Sequence, residues 1–281
     1  MNYLNKVKKI FLQQTKNYIF EYIRLYKLLF IFFKRPFSIF DFLRLNGKYL
    51  IIEVEYGGLG DHLFHSHLPK LAKESLKFDA VYLSNLSPFR KPAHKDAIWG
   101  KNPYLDGYIN WFGFNFRRLI KNKNVNLNNS EVNKNILDEI MVAFELDDGN
   151  RFHDPQIYYV PRRKREFEAK VIFDPNFVTP LYNTDIIYKS INAYFLHNNI
   201  NIDFQFVPIN PSGKLLTEEQ YINDKTFEEF CDVIYACKDL YCFATGTAVL
   251  AAALGKNANV FFVDAVDERF LFSKQHNYIK L

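Results

Sequence analysis

The chain has 281 residues, 48% of them hydrophobic, enough to bury one large core or two modest ones. Net charge is +5, but residues 1–48 hold ten basic side chains against two acids (Glu21, Asp41), a local +8 that leaves −3 for the rest. That balance excludes a basic nucleic-acid platform in the body. Three cysteines (Cys231, Cys237, Cys242) without CxxC spacing exclude a disulfide framework and read as buried thiols in a reducing compartment.

Residues 1–47 form a basic, aromatic appendage. On a helical wheel Lys6, Lys9, Gln13, Lys16, Arg24 and Lys27 share one face, while Leu4, Val7, Phe11, Tyr18, Tyr22, Leu25, Leu29 and Phe33 fill the other. Pro36 stops this helix, and a short second one is expected from Ser38 to Asn46-Gly47. The apolar stretch 28–33 is too short for a secretory signal, and Glu21, Arg24 and Lys27 interrupt any membrane span. Two readings fit the segment. It lies on an anionic membrane surface, or residues 1–45 dock on the protein itself or on a second copy.

From Tyr49 strands and helices alternate. A strand over 49–55 leads into Gly57-Gly58-Leu59-Gly60-Asp61, followed by a helix expected over 61–76. Glycines let backbone turn tightly and approach a ligand closely. A strand over 79–84 and a polar loop through 87–92 follow, then a short strand at 108–111, an Asn-rich loop over 121–129, a helix over 131–144 and a strand over 156–160. Pro161-Arg162-Arg163-Lys164-Arg165 reads as a solvated boundary between domains 48–160 and 161–281.

The second half restarts the pattern: strand 170–173, helix 186–196, strand 202–207, and a helix over 226–236 capped by Thr226. A second corner then appears, with strand 239–244, the turn Thr245-Gly246-Thr247, and an alanine-rich helix closed by Gly255, before a strand over 259–264. The aromatic and polar tail, 269–281, is expected to pack back across the first half. Two strand–turn–helix corners about 185 positions apart imply two Rossmann-like halves with a cleft between them.

Gly57-Gly58-Leu59-Gly60-Asp61-His62-Leu63 with Leu68-Pro69, together with Ala244-Thr245-Gly246-Thr247-Ala248-Val249 running on to Gly255-Lys256, resemble two motifs of the lipopolysaccharide heptosyltransferase family. The resemblance implies an α/β fold of two Rossmann-like domains facing a cleft (GT-B-like), here with an N-terminal amphipathic helical appendage. It implies an inverting, metal-independent glycosyltransferase, with Asp61 as the acceptor-activating base and residues 245–247 at the donor diphosphate. Ala244 stands where that family commonly has Asp, and Val249 where it has His, so the donor sugar does not carry over.

From the residues themselves, Asp61 is either that base or an N-cap. Gly58, Gly60 and His65, the last four residues beyond Asp61, are candidate acceptor contacts. Thr245, Gly246 and Thr247 would turn N–H groups and hydroxyls toward the donor, and Asp264 would meet a ribose or sugar hydroxyl. His62, His65 and His67 do not share one helical face, so no metal site is expected. No cofactor is expected beyond a nucleotide-diphosphate sugar as co-substrate. The expected partners are that sugar and a glycan or glycolipid acceptor (lipooligosaccharide or capsule), with no nucleic acid. The expected location is cytoplasmic, on the inner face of the membrane if the appendage takes the lipid-binding reading. A sugar-nucleotide epimerase or hydrolase, and a non-catalytic binding relative, are the alternatives.

Overall fold

A computed structural model describes residues 48–109, 135–150, 152–177, 184–224, 226–264, 266 and 268–281. The amphipathic appendage and the Asn-rich loop lie outside these residues.

The first half carries β1 (Tyr49–Ile52), β2 (Ala80–Ser84) and β3 (Gly107–Ile109), paired in that order and all parallel. Helices α1 (Leu59–His65), α2 (Leu68–Glu74) and α3 (Ile136–Ala143) accompany it. The helix expected over 61–76 is two helices. Pro69 sits in the first turn of α2 and has no N–H to continue the ladder, so the chain turns at Ser66-His67. The polar loop expected over 87–92 instead runs into a helical turn, Pro92–His94, and one wide π turn, Lys95–Gly100.

The second half is a six-stranded parallel sheet: β4 (Val171–Phe173), β5 (Phe204–Phe206), β6 (Tyr221–Ile222), β7 (Asp239–Phe243), β8 (Asn259–Phe262) and β9 (Asn277–Lys280). Its spatial order is β6-β5-β4-β7-β8-β9. Counted within this half, that is 3-2-1-4-5-6, the dinucleotide-binding Rossmann order, whose direction reverses between β4 and β7. Helices α4 (Thr184–His197), α5 (Phe227–Ala236) and α6 (Gly246–Ala253) join the strands. Thr226 caps α5 as expected: its side chain accepts the Glu229 N–H while Glu229 accepts the Thr226 N–H. Helix α6 ends in a Schellman turn, with Gly255 at φ +68° and the Lys256 N–H on the Ala251 carbonyl at 2.8 Å.

The strand expected over 156–160 is absent. That segment pairs with no strand among the described residues. Its polar groups go elsewhere: the Gln156 N–H to Ser66 Oγ, and the Tyr159 hydroxyl and Arg162 N–H to the Asp232 carboxylate. The chain thus crosses from one half to the other between these anchors. The tail does pack back across the first half, with the Phe272 ring edge-on to Phe64 at 5.3 Å and Arg269 paired with Glu139 at 3.0 Å. Its last residues then form β9, a sixth strand that their polar composition hid.

One apolar core runs through both halves, from Leu50, Leu83 and Met141 to Ile172, Cys231 and Leu250. A second is aromatic, with Phe173, Phe195, Tyr241 and Phe261 between α4 and the sheet. All three cysteines are buried free thiols.

Candidate functional site

Both glycine corners open onto one cavity of about 860 Å³ between the halves. Gly58, Leu59, Gly60 and Asp61 line it from the first half, and Ala244 to Val249 from the second. The volume falls within the range of small-molecule sites, and its place outside the β4/β7 switch is where such sheets bind ligands.

Each corner is built by close backbone approach. A β-carbon on Gly57 would meet the Arg90 nitrogen at 3.0 Å, so only glycine lets the 87–90 loop pack there. The Arg90 N–H in turn donates to the Gly57 carbonyl at 2.8 Å. His62 fixes the same loop from beneath. Its Nε2 donates to the Pro88 carbonyl at 2.7 Å, its Nδ1 accepts the Trp99 indole N–H at 3.0 Å, and its ring stacks on Phe89. Burial lowers the His62 pKa to about 4, in keeping with a neutral ring that donates at one nitrogen and accepts at the other.

Asp61 lies in the first turn of α1, where its Oδ2 accepts the Gly58 N–H at 3.0 Å. The N-cap is thus Gly58, not Asp61, which sits at the third helical position and bonds back to the cap as the acid of a capping box; its carboxylate also lines the cavity. Burial pushes its pKa above the ordinary carboxylate value, against the Gly58 hydrogen bond and the Arg90 charge, which pull it down. A carboxylate raised in this way is a better proton acceptor than a solvated one.

At the second corner both threonine hydroxyls turn to the protein. Thr247 donates to Asp174 Oδ2 at 2.5 Å, and Thr245 lies 3.4 Å from the Phe243 carbonyl. The corner's free donors are thus backbone N–H groups at the start of α6, which have no acceptor within the helix. Asp174, buried at the end of β4, also accepts the backbone and side-chain N–H of Asn176. Burial raises its pKa as well. Sequence reasoning missed Asp174; the only available signal was its position directly after a short apolar strand.

Two expected contacts fall away from the cavity. His65 turns into the first-half core: Nδ1 bonds the Asp61 carbonyl at 2.7 Å and the ring meets Phe144 edge-on. Helix α1 is only seven residues long, and the face carrying His65 is the one it buries. Asp264 lies two residues past the end of β8, largely exposed, and pairs with Lys280 at 2.5 Å. Neither lines the cleft. Among the described residues no cluster of His, Cys, Asp and Glu has the arrangement of a metal site.

No protein-family model and no curated protein matches the sequence. Solved structures do match. The glycosyl transferase family 9 protein from Veillonella parvula DSM 2008 aligns with TM-score 0.51 and 11% identity over 83% of this chain and 85% of its own. The E. coli ADP-heptose lps heptosyltransferase II gives 0.53 and 13% over 83% and 90%. The iron-containing dodecameric glycosyltransferase TibC from enterotoxigenic E. coli H10407 gives 0.55 and 9%, over 82% of this chain and 64% of its own. The fold is that of the heptosyltransferase-like glycosyltransferases. At these identities the likeness establishes the two-Rossmann fold, and the chemistry rests on the residues of the cleft.

Proposed function

We propose that this protein is a glycosyltransferase that moves a sugar from a nucleotide-diphosphate donor to a bacterial surface glycan, such as a lipooligosaccharide or capsule. One observation carries the reading: Asp61 from the first half and the 245–247 turn from the second line the same cleft, at the mouth of a Rossmann switch point. The solved structures of the same fold include an ADP-heptose heptosyltransferase, which supports a nucleotide sugar as the donor class.

In this account the second half holds the donor, its diphosphate against the N–H groups that open α6. An acceptor hydroxyl reaches the anomeric carbon from the first-half side. Asp61 takes the hydroxyl proton as the new C–O bond forms, and the bond to the diphosphate breaks with its electron pair passing to the leaving oxygen. A single displacement of this kind inverts the anomeric centre. Ala244 and Val249 line the cavity in place of two side chains that the heptosyltransferases commonly carry, so the donor sugar is set by other contacts.

A thermal-shift panel of nucleotide sugars and nucleoside diphosphates tests the donor class, since a ligand bound only to the folded state raises the melting temperature. A shift with at least one nucleotide diphosphate is expected; none across the panel would contradict the reading. An epimerase or hydrolase would consume the shifting sugar nucleotide with no acceptor present. A binding relative would leave it intact with any acceptor.

No described helix is long and apolar enough to cross a membrane. We place contact with an anionic membrane in the +8 segment, residues 1–48. Flotation with anionic vesicles that weakens in salt supports this. Full-length protein that floats with neither anionic nor neutral vesicles would make the segment a docking or self-association element.

A further inference from the structure

Among the described residues four carboxylates line the cleft: Asp61, Asp174, Asp224 and Glu228. A diphosphate entering it meets negative charge on both walls. The second corner offers only neutral groups, backbone N–H and threonine hydroxyls already committed to protein acceptors. Among the described residues, the only cationic side chains lining the cavity are Arg90 and Lys91, and both belong to the first half.

Their setting is that of a built site. The backbone at Arg90 is fixed to Gly57, and the loop before it is held by His62 and by the ring stack on Phe89. Both side chains are exposed at the cavity wall, and no ion pair among the described residues takes up either one. Behind them His94 is 7% exposed and lines the same wall, with its ring 5.2 Å from Phe227 of the second half. Its Nδ1 is buried with no hydrogen-bond partner. Burial, and then the Lys91 and Arg90 charges, lower its pKa to about 4, so at pH 7 the ring is neutral and the charge of this wall is that of Arg90 and Lys91.

We propose that Arg90 and Lys91, backed by His94, are the counter-charge for the donor diphosphate, so that the first half helps to hold the donor's leaving group as well as the acceptor. The inference rests on the nucleotide-sugar reading. Guanidinium and ammonium groups suit phosphate oxygens in charge and in hydrogen-bond geometry. Their placement opposite the start of α6 brackets the diphosphate between the two halves. Negative charge that grows on the leaving oxygen then falls between fixed cations and N–H dipoles. The plain alternative is that the two cations merely offset the cavity's own acids: the Arg90 charge acts on Asp61, and the Lys91 charge on Asp224.

The test uses full-length protein, inorganic pyrophosphate and a panel of ADP, UDP, GDP and CDP, with binding read by calorimetry. Pyrophosphate reports the charge site whatever base the donor carries. Arg90→Gln/Lys91→Gln is expected to weaken pyrophosphate and the best nucleotide roughly ten- to a hundredfold, and to flatten the dependence of affinity on salt. Arg90→Lys/Lys91→Arg, which keeps the charge, should retain most of the affinity. Both side chains are exposed, so a folded double variant is expected, with its melting curve as the check. Wild-type binding that persists unchanged in a folded Gln/Gln variant would overturn the clamp and leave the glycosyltransferase reading standing. Binding of no diphosphate by the wild type would overturn both.

Discussion

Gly60 and Gly246 meet backbone to backbone across the two halves: a β-carbon on Gly246 would stand 3.1 Å from the Gly60 nitrogen and 3.1 Å from Leu59 Cβ. The two corners therefore shape the cleft and also form the joint between the halves. Bulk added at Gly246 both blocks a ligand's approach and presses α1 from α6.

Gly246→Ala should cost about 1–3 kcal/mol of stability, the usual range for overpacking a tight contact, and should weaken nucleotide binding as well. Gly255→Ala supplies the comparison. Its φ of +68° strains an alanine, yet nothing lies within 4 Å of the added carbon. It should lower stability by about 1 kcal/mol with affinity unchanged. Thermal denaturation and calorimetry on both variants separate the effects. An unchanged melting temperature in Gly246→Ala would contradict the joint.

Thr247→Val removes the hydroxyl that donates to Asp174 and keeps the side-chain shape. The buried carboxylate loses a partner, at a cost of about 1–3 kcal/mol. The pH dependence carries a definite sign. Burial holds the Asp174 pKa above its unfolded value, so its ionisation removes stability as pH rises through that window. Losing the Thr247 bond raises this pKa further, so the variant's deficit should be larger at pH 7 than at pH 4. Denaturant melts at both pH values check this, and equal deficits would contradict it.

The two corners were legible because glycine, flanking apolar strands and a following helix leave a local pattern. The switch point was legible only as an inference, since the parallel order of β4 and β7 is a long-range fact. Asp174 was hidden for that reason: after a three-residue strand it looks like any loop acid until β7 brings Thr247 beside it. Arg90 and Lys91 sit in a loop whose composition reads as solvated, and only the His62 and Gly57 contacts show it folded over the cleft. His65 was misplaced because a helical wheel assigns relative faces, whereas packing against Phe144 decides which face is inside. Gln156 to Val160 has the β-branched and aromatic composition of a strand, but no strand among the described residues pairs with it.

His153 joins two carboxylates, with Nδ1 3.2 Å from Asp138 and Nε2 3.1 Å from Asp148. The Asp138 hydrogen bond is the main force raising the His153 pKa. Burial raises both acids, but hydrogen bonds outweigh it and hold them below their usual value, from His153 and the 152–153 backbone at Asp138, and from Asn150 and then His153 at Asp148. The histidine's contribution is complete below its unfolded pKa and fades as pH rises through the raised one. The acids' contribution is complete above their unfolded pKa and fades as pH falls through the lowered ones. His153→Gln should therefore cost most near pH 5, by about 1–3 kcal/mol, and less at pH 8. A loss that is constant from pH 5 to pH 8 would contradict the triad.

Asp61→Asn is the most direct test of the central claim, because it removes the proton acceptor and keeps an oxygen for the Gly58 N–H. Its readouts are transfer rate, donor affinity and melting temperature at pH 7, once the thermal-shift panel has supplied a donor. The rate should fall by roughly two to four orders of magnitude, with donor affinity kept. The melting temperature should hold or rise, because the buried charge at Asp61, whose pKa is raised, costs the native state stability at neutral pH. In the wild type the rate should fall on the acid side as Asp61 is protonated. Arg90→Gln should move that limb to higher pH by removing a charge that lowers the Asp61 pKa. A near-normal rate in Asp61→Asn, accompanied by a lowered melting temperature, would make Asp61 a capping-box acid alone and contradict the account.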